Sequence, residues 1–260
     1  GSIAALIISM GEFGLLFAIP LWLQNVLGLS AISSGLVLLW LAGGSFLASG
    51  IGGAMSGKLS ATNAVRIGVA LELIGIAGIA LFGNIEGGWL SVAAWLTIYG
   101  MGIGLATAQL TGVIMVDVPN EKIGQASGSQ STVRQIGSAL GIAVLGTILF
   151  TSTQVASELN LREVPLIASI DAAAQTELVE ELTDQVVDSA GAALPYVEAG
   201  MIQAGLPPQA AADIQAAANQ GFTTGVQATG WAAAGFMALG FASTFAMGTK
   251  RRKESIVDLE

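Results

Sequence analysis

Apolar residues form six long runs along the chain, and short polar turns separate the first five of these runs. The runs cover Ile3–Leu27, Ile32–Met55, Ala64–Phe82, Trp89–Val116, Gln125–Phe150 and Phe222–Met247. A helix needs about 20 such residues to cross the hydrocarbon core of a bilayer. Backbone groups in hydrocarbon have no water to bond, so each run is predicted to be helical. The pattern predicts an all-α integral membrane protein with a six-transmembrane-helix bundle, and Pro20 should kink its first helix near the end.

A long polar stretch separates the last two runs. This stretch, residues 151–221, holds most of the acidic residues and is named the outer segment below. Apolar residues recur at i, i+4 and i+8 from Leu178, which predicts an amphipathic helix over Asp171–Asp188. A second helix is expected from about Gln209 into the last span. Two roles remain open, a solvated cap, or an acidic funnel that concentrates cations or docks a partner.

The composition agrees with a membrane protein and excludes several kinds of site. Only 10% of the 260 residues are charged and 53% are hydrophobic, whereas soluble domains carry about 25% charged residues. The chain has no Cys and no His, which excludes thiolate metal sites and removes the usual metal ligand. A net charge of -9 argues against a nucleic-acid partner. Without His no nucleophile–His–acid set can form, and no phosphate loop is present, so we expect neither an enzyme nor a bound cofactor.

Basic residues indicate the orientation of the spans. Those that fall on one side, if the spans alternate, are Lys58, Arg66, Lys122 and the run Lys250–Lys253. The opposite side has Arg162 alone. By the positive-inside rule, both termini are predicted to be cytoplasmic, with residues 249–260 as a cytoplasmic tail and the outer segment outside. The acidic exterior and the many Ala and Gly residues fit a plasma membrane of the bacterial inner-membrane kind.

Three ionisable residues lie inside the predicted spans, where charge is costly and therefore marks functional candidates. Glu12 is the strongest candidate for proton coupling, because one carboxylate can bind a proton or a drug cation in turn. The alternative is a structural carboxylate bonded to a neighbouring helix. Glu72 is a weaker candidate that could instead support packing or snorkel. Arg134 either snorkels to the cytoplasmic surface or forms an ion pair with a carboxylate.

Aromatic and amide side chains in the spans are candidates for contact with a substrate. Aromatic rings can stack on a flat organic cation, although rings in spans also commonly face lipid or the core. The candidates for a substrate cavity are Phe13, Phe17, Gln24, Trp40, Trp95, Tyr99, Gln109 and Gln130.

Pairs and runs of glycine predict close helix contacts. Gly137 and Gly141 form a GxxxG pair on the stripe that carries Arg134, and Gly124 and Gly128 form another. The run Gly100–Gly104 lacks the strand and βαβ context of a dinucleotide loop. It therefore predicts close helix packing or a bend.

Two stretches of sequence and the outer segment together carry a family resemblance. The first stretch is Phe17-Ala18-Ile19-Pro20-Leu21-Trp22-Leu23-Gln24-Asn25-Val26-Leu27-Gly28-Leu29-Ser30 with Ser34-Gly35-Leu36. The second runs from Val118-Pro119 through Gly124-Gln125-Ala126-Ser127-Gly128 to Arg134-Gln135-Ile136-Gly137-Ser138-Ala139-Leu140-Gly141. They resemble the C-terminal half of a major facilitator superfamily transporter, and more closely the fourteen-span drug:proton antiporters of the EmrB/QacA type.

The resemblance implies both an architecture and an activity. Spans one, two, four and five would line a central cavity, with spans three and six outside. Protons would be exchanged for lipophilic, often cationic, compounds by alternating access. The turn after the second span resembles a degenerate copy of the superfamily's cytoplasmic gating loop, at Gly53, Gly57, Lys58 and Arg66. Ser56 stands where the superfamily commonly has an acid, so the loop departs from the family pattern there. The family's Gly-rich antiporter motif lies in the N-terminal half, so antiport is implied by the resemblance and not by the residues of this chain.

The leading hypothesis is therefore the C-terminal half of a multidrug efflux antiporter. Its first span begins almost at residue 1 without an initiator Met, which we interpret as half of a transporter. Its partners would be the lipid bilayer, the missing N-terminal half, small organic substrates and protons. The alternatives are a half-size transporter acting as a parallel homodimer, and a membrane binding or assembly module that uses the outer segment.

Overall fold

A computed structural model describes residues 2–54, 60–115 and 118–245, and the regular elements in these ranges are all helices. The helices are α1 (Ser2–Leu21), continued by a π-helical turn (Trp22–Val26), α2 (Ala31–Ala54), α3 (Ala61–Phe82), α4 (Leu90–Met115), α5 (Ile123–Arg162), α6 (Pro165–Ala168), α7 (Ala172–Asp188), α8 (Val197–Gln203) and α9 (Pro208–Thr244). Single 3₁₀ turns cover Asn120–Lys122 and Leu194–Tyr196. The span ends predicted at Met55, Val116 and Met247, and the predicted tail at 249–260, lie outside the described residues.

Helices α1 to α5 are long and apolar enough to cross a membrane, with α1 counted through Val26. This confirms the all-α membrane class and five of the six predicted spans. α9 is 37 residues long but does not reach the same hydropathy within the described residues. Its apolar side chains are mostly alanines, spaced by glycines and threonines, which contribute little to hydropathy. Its assignment as the sixth span therefore depends on how it packs against the other helices.

α9 runs antiparallel along α1, α3 and α5. Gly221 packs against Ser157 of α5 near one end, and Gly240 packs against Ile8 of α1 near the other. Between them, Gln227 Nε2 donates a hydrogen bond to the carbonyl of Gly83 at the end of α3, at 2.8 Å. α9 thus extends along the length of the bundle, and its small residues allow close contact between helices.

α5 continues well beyond the predicted end of the fifth span. The helix is unbroken to Arg162, whereas the fifth span was predicted to end at Phe150. Its 40 residues measure about 60 Å at 1.5 Å per residue, against about 30 Å of hydrocarbon. Hydropathy marks where lipid ends, and a helix in water can continue with polar residues. The outer segment is therefore partly an extension of α5.

The outer segment has a hydrophobic core of its own. The core residues are Leu161, Val164, Ile167, Val179, Leu182, Val197 and Ile214. α7 begins after Asp171, whose carboxylate accepts hydrogen bonds from the N–H groups of Ala173 and Ala174 at 3.0 and 3.2 Å. The helix predicted over Asp171–Asp188 is confirmed, and so is a helix beginning near Gln209, since α9 starts at Pro208.

Two hydrogen bonds connect the outer segment and α9 to the end of α1. Pro20 is followed by the π-helical turn, and Trp22 within it donates from Nε1 to Thr223 Oγ1 of α9 at 3.0 Å. Asn25 Nδ2 donates to the carbonyl of Ala190, just after α7, at 3.1 Å. Ala190 has φ +52°, an uncommon conformation for a residue with a side chain. This end of α1 is therefore joined to the folded outer segment.

Candidate functional site

Close packing of α1 on α5 creates the candidate site. Gly137 lies against the backbone of Leu6, and Gly141 lies against the backbone of Met10. Both contacts advance by four residues, so the two helices run parallel with their backbones near each other. A side chain at either glycine would separate them.

The other two glycine patterns, the Gly124/Gly128 pair and the run Gly100–Gly104, differ in whether they contact another helix. A Cβ at Gly124 or Gly128 would meet nothing within 4 Å, so this pair makes no close contact in the described chain. In the run Gly100–Gly104, by contrast, Gly100 packs on the Leu41 carbonyl of α2 and Gly102 on α3. This run therefore provides close helix packing, which is one of the two alternatives predicted for it.

Glu12 and Arg134 meet across the contact between α1 and α5. Arg134 Nη2 lies 3.8 Å from Glu12 Oε2, and the two side chains are 26% and 6% exposed. The separation is longer than a hydrogen bond, but unit charges at this distance attract strongly where water is scarce. Across the described ranges this is the only ion pair. The geometry is that of the ion pair considered for Arg134, and not that of a free snorkelling side chain.

A cavity of about 280 Å³ lies beside this pair. It is lined by Phe13, Thr111, Ser127, Gln130, Ser131, Arg134, Gln135 and Ser138. Ser131 and Gln135 are exposed, so the cavity opens at the surface of the bundle. One aromatic ring, one cationic group and several neutral polar groups thus surround the space, an arrangement suited to a small polar or amphipathic organic molecule.

Hydrogen bonding leaves part of the cavity wall available to a ligand. Gln130 is buried, and its Nε2 donates to Thr111 Oγ1 of α4 at 3.3 Å. Its Oε1 has no hydrogen-bond partner among the described residues. Ser9, a turn before Glu12 on α1, is also buried with an unpaired hydroxyl in that part of the chain. Buried polar atoms are costly unless paired. Gln130 lines the cavity and Ser9 does not, so Gln130 Oε1 is the candidate for bonding a ligand or water.

Of the predicted cavity residues, Phe13 and Gln130 line this space and the others lie elsewhere. Tyr99 is fully buried, and its hydroxyl donates to the carbonyl oxygen of Glu12 at 2.7 Å. Trp95 stacks on Phe82 with ring centroids 5.1 Å apart. Trp40 is half exposed, and the remaining candidates, Phe17, Gln24 and Gln109, are partly buried.

Sequence reasoning missed most of the polar wall on α5. Ser127, Ser131 and Ser138 are single hydroxyls in a glycine-rich run, and none stands out as a candidate. The missed signal is periodic. Ser127 and Ser131 are four residues apart, as are Gln130, Arg134 and Ser138, so together they form a polar stripe on a membrane helix.

Glu72 lies in the interior of the bundle and not at its lipid surface. It is 1% exposed, and its backbone and side-chain stem lie against Gly102 of α4. Its Oε2 has no hydrogen-bond partner within the described chain. Snorkelling is therefore wrong for Glu72, because the residue sits on the side of α3 that packs against α4.

The candidate gating loop is only partly described. Gly57 and Lys58 lie outside the described residues, and Gly53 is exposed near the end of α2. Arg66 donates from Nη2 to the carbonyl of Thr244 at 3.3 Å, and its guanidinium lies 4.6 Å from the ring centre of Phe245. Arg66 thus connects the start of α3 to the last turn of α9, where a cation also complements the helix dipole.

Comparison with known proteins gives three informative relatives. The chain is 28% identical to the tetracenomycin C resistance and export protein of Streptomyces glaucescens over 149 residues, which are 57% of this chain and 28% of that protein. It is 32% identical to the multidrug resistance protein Stp of Mycobacterium tuberculosis over 137 residues, 53% of this chain and 25% of Stp. It is also 32% identical to a tetracycline resistance determinant of Streptomyces rimosus over 151 residues, 55% of this chain and 41% of that protein.

The chain therefore matches less than half of each of these relatives, and in the first two only about a quarter. A family model gives the broader assignment. The description of that model is Major Facilitator Superfamily, and it matches residues 1–142, which span α1 to α4 and the first half of α5. The match covers more than half of the 260 residues, and the chain belongs to the Major Facilitator Superfamily.

Proposed function

We propose that this chain is the C-terminal bundle of a drug-efflux transporter that exchanges protons for lipophilic, cationic compounds. The proposal includes the fourteen-span EmrB/QacA type and a plasma-membrane location with both termini cytoplasmic. The observation that carries it is the Glu12–Arg134 ion pair beside an open, partly aromatic cavity. The names of the relatives, which refer to drug resistance and export, support the same class of substrate.

The coupling would depend on competition for one carboxylate. Glu12 is 6% exposed, and a buried carboxylate needs a cation or a proton to balance its charge. Arg134 supplies that balance at 3.8 Å, too long for a strong hydrogen bond. An organic cation entering the cavity beside Phe13 can take the place of the guanidinium. A proton arriving at Glu12 removes the attraction and releases the cation.

The cavity is expected to be half of the complete substrate site. Drug-sized pockets measure about 300–1,000 Å³ and enclose most of the ligand, whereas this cavity is about 280 Å³ and open on one side. In transporters built from repeated bundles the substrate lies between the bundles. A second, N-terminal bundle would close the site and allow access to alternate between the two sides.

The test is transport by the complete native protein that contains this chain, reconstituted in lipid vesicles. An imposed pH gradient should drive uptake of a lipophilic cationic dye, and abolishing the gradient should stop it. Dye movement that ignores the pH gradient would contradict proton exchange. Full transport by residues 1–260 alone would support the homodimer of half-size transporters instead.

A second candidate function rests on the outer segment. Its own hydrophobic core and its exposed acidic helix α7 suit a module that recruits another protein. Replacing residues 163–207 with a short Gly/Ser linker separates the two functions. Unchanged transport together with unchanged assembly would eliminate the recruitment role, and loss of a specific complex with intact transport would support it.

A further inference from the structure

A buried carboxyl group, Glu72, lies next to the candidate site but does not line its cavity. On the contact between α3 and α4, Gly75 lies against Tyr99, and one turn earlier Glu72 lies against Gly102. The two contacts show that the helices are antiparallel and in close register. Tyr99 in turn reaches the carbonyl of Glu12 with its hydroxyl. Glu72, Tyr99 and Glu12 therefore occupy one region in the middle of the bundle.

The helices packed against α3 contribute few charged groups. These groups do not balance a negative charge on Glu72 in addition to the one on Glu12. The helices in contact with α3 are α4, α9 and α1. α4 contributes Tyr99 as its only ionisable side chain, and α9 contributes none between Phe222 and Thr244. α1 contributes Glu12, which is itself negative and pairs with Arg134 of α5.

The cation on α3, Arg66, already has a hydrogen-bond partner at the end of the helix. Arg66 precedes Glu72 by six residues, about 9 Å along the helix axis, and it bonds the carbonyl of Thr244. In the described ranges no cation pairs with Glu72, and its Oε2 is without a hydrogen-bond partner. An isolated charge in such surroundings is very costly, and a like charge nearby adds repulsion.

We propose that Glu72 is a proton-binding site that holds a proton as a neutral carboxylic acid while Glu12 and Arg134 form their ion pair. The side chains of Glu12, Glu72 and Arg134 then carry one negative and one positive charge, so their net charge is zero. Removal of the proton would place a second anion beside Glu12 and make the two carboxylates compete for Arg134. A cation that displaces Arg134 from Glu12 frees the guanidinium to balance Glu72, and so favours release of its proton.

The role in transport rests on the proposed function, but the bound proton can be measured without any transport. The experiment is an infrared difference spectrum between the wild-type complete protein and its Glu72→Gln variant, in lipid vesicles at neutral pH without substrate. A protonated carboxyl shows a C=O stretch separate from the two carboxylate bands. The proposal expects the C=O stretch in the difference, and carboxylate bands in its place would overturn it.

Two other variants make the assignment specific. Glu12→Gln/Arg134→Gln, which removes both charges of the ion pair and so frees no cation for Glu72, should remove carboxylate bands. A lost C=O stretch in this double variant would place the proton on Glu12 and overturn the proposal. Glu86→Gln, at an exposed position between α3 and α4, should also remove only carboxylate bands and serves as the matched control. If the Glu72→Gln protein does not assemble, Glu72→Met, of similar volume, provides the same comparison. Failure of proton-driven transport with the C=O stretch present would disprove the proposed function alone.

Discussion

The hydroxyl of Tyr99 donates a hydrogen bond to the carbonyl oxygen of Glu12 at 2.7 Å, so α4 holds α1 at the residue whose carboxylate pairs with Arg134. Both ends of the bond are buried. The ion pair between α1 and α5 therefore has a third helix behind it. A shift of α4 would be transmitted to the backbone of Glu12.

Removing this hydrogen bond should loosen α1 without leaving a void. Tyr99→Phe deletes only the hydroxyl, and we expect it to lower the free energy of unfolding by about 1 kcal/mol. The measurement is thermal unfolding of the purified protein in detergent. Tyr196→Phe is the matched control, since the only other tyrosine is 73% exposed and should change nothing. Equal effects of the two substitutions would show that the bond to Glu12 does not contribute.

The Glu12–Arg134 pair should show energetic coupling. Arg134→Gln leaves a buried carboxylate without its cation, and we expect a loss of about 1–3 kcal/mol in the free energy of unfolding. This is less than the roughly 3–5 kcal/mol of a fully buried pair, because the Arg134 side chain is 26% exposed. The double variant Glu12→Gln/Arg134→Gln should recover most of the loss, since it removes both charges.

A double-mutant cycle in chemical or thermal unfolding measures that coupling. Arg162→Gln, an exposed arginine at the end of the same helix, is the control for loss of one positive charge. If the effects of Glu12→Gln and Arg134→Gln simply add, the two side chains do not interact in the folded protein.

Two glycines on α5 should respond in opposite directions to the same substitution. Gly141→Ala places a methyl group against the backbone of Met10, and we expect it to destabilise the chain by ~1–3 kcal/mol through overpacking. Gly128→Ala meets nothing within 4 Å and should stabilise the helix by up to about 1 kcal/mol, since Ala is the better helix former.

Thermal unfolding of the purified 260-residue chain in detergent compares the two variants directly. The isolated chain is the appropriate sample because a partner bundle could cover Gly128. A Gly141→Ala protein as stable as wild type would contradict the contact between α1 and α5 described above. A destabilised Gly128→Ala protein would contradict the open space beside Gly128.

The orientation in the membrane can be tested with single cysteines, since the chain has none. Glu177→Cys on α7 and Glu121→Cys in the turn before α5 both lie at exposed positions. In intact cells a membrane-impermeant maleimide should label the cysteine at 177 and leave that at 121 unlabelled until the cells are opened. Labelling of both, or of 121 alone, would contradict the proposed orientation. The reason for the expectation is the distribution of Lys and Arg.

Much of the fold could be predicted from local patterns. The bilayer requires every backbone group within it to bond inside a helix or barrel, so hydropathy alone is enough to locate α1 to α4 and the apolar part of α5. The polar extension of α5 to Arg162 carries no such signal. The amphipathic period of α7 likewise encodes its buried face. α9 was harder, because alanine and glycine give a weak hydropathy signal, and its position depends on small residues that fit against α1, α3 and α5.

The candidate site was only partly readable. Charge inside an apolar span is visible in any sequence, so Glu12, Glu72 and Arg134 could be identified without a structure. Which of these residues pair with each other could not be predicted, because Coulomb energy depends on the distance between side chains on different helices and not on their positions along the chain.

Local sequence therefore established the helices, the membrane environment and the ionisable candidates, because each depends on the composition of one segment and the solvent around it. The pairing of Glu12 with Arg134, the burial of Glu72 beside Gly102 and the burial of Tyr99 depend on which helix faces share a contact. The same holds for the two glycine pairs of α5, of which only Gly137 and Gly141 meet another helix. Identical local motifs differ in role here because packing is set by the shape of the partner surface, which is contributed by residues far away in the chain.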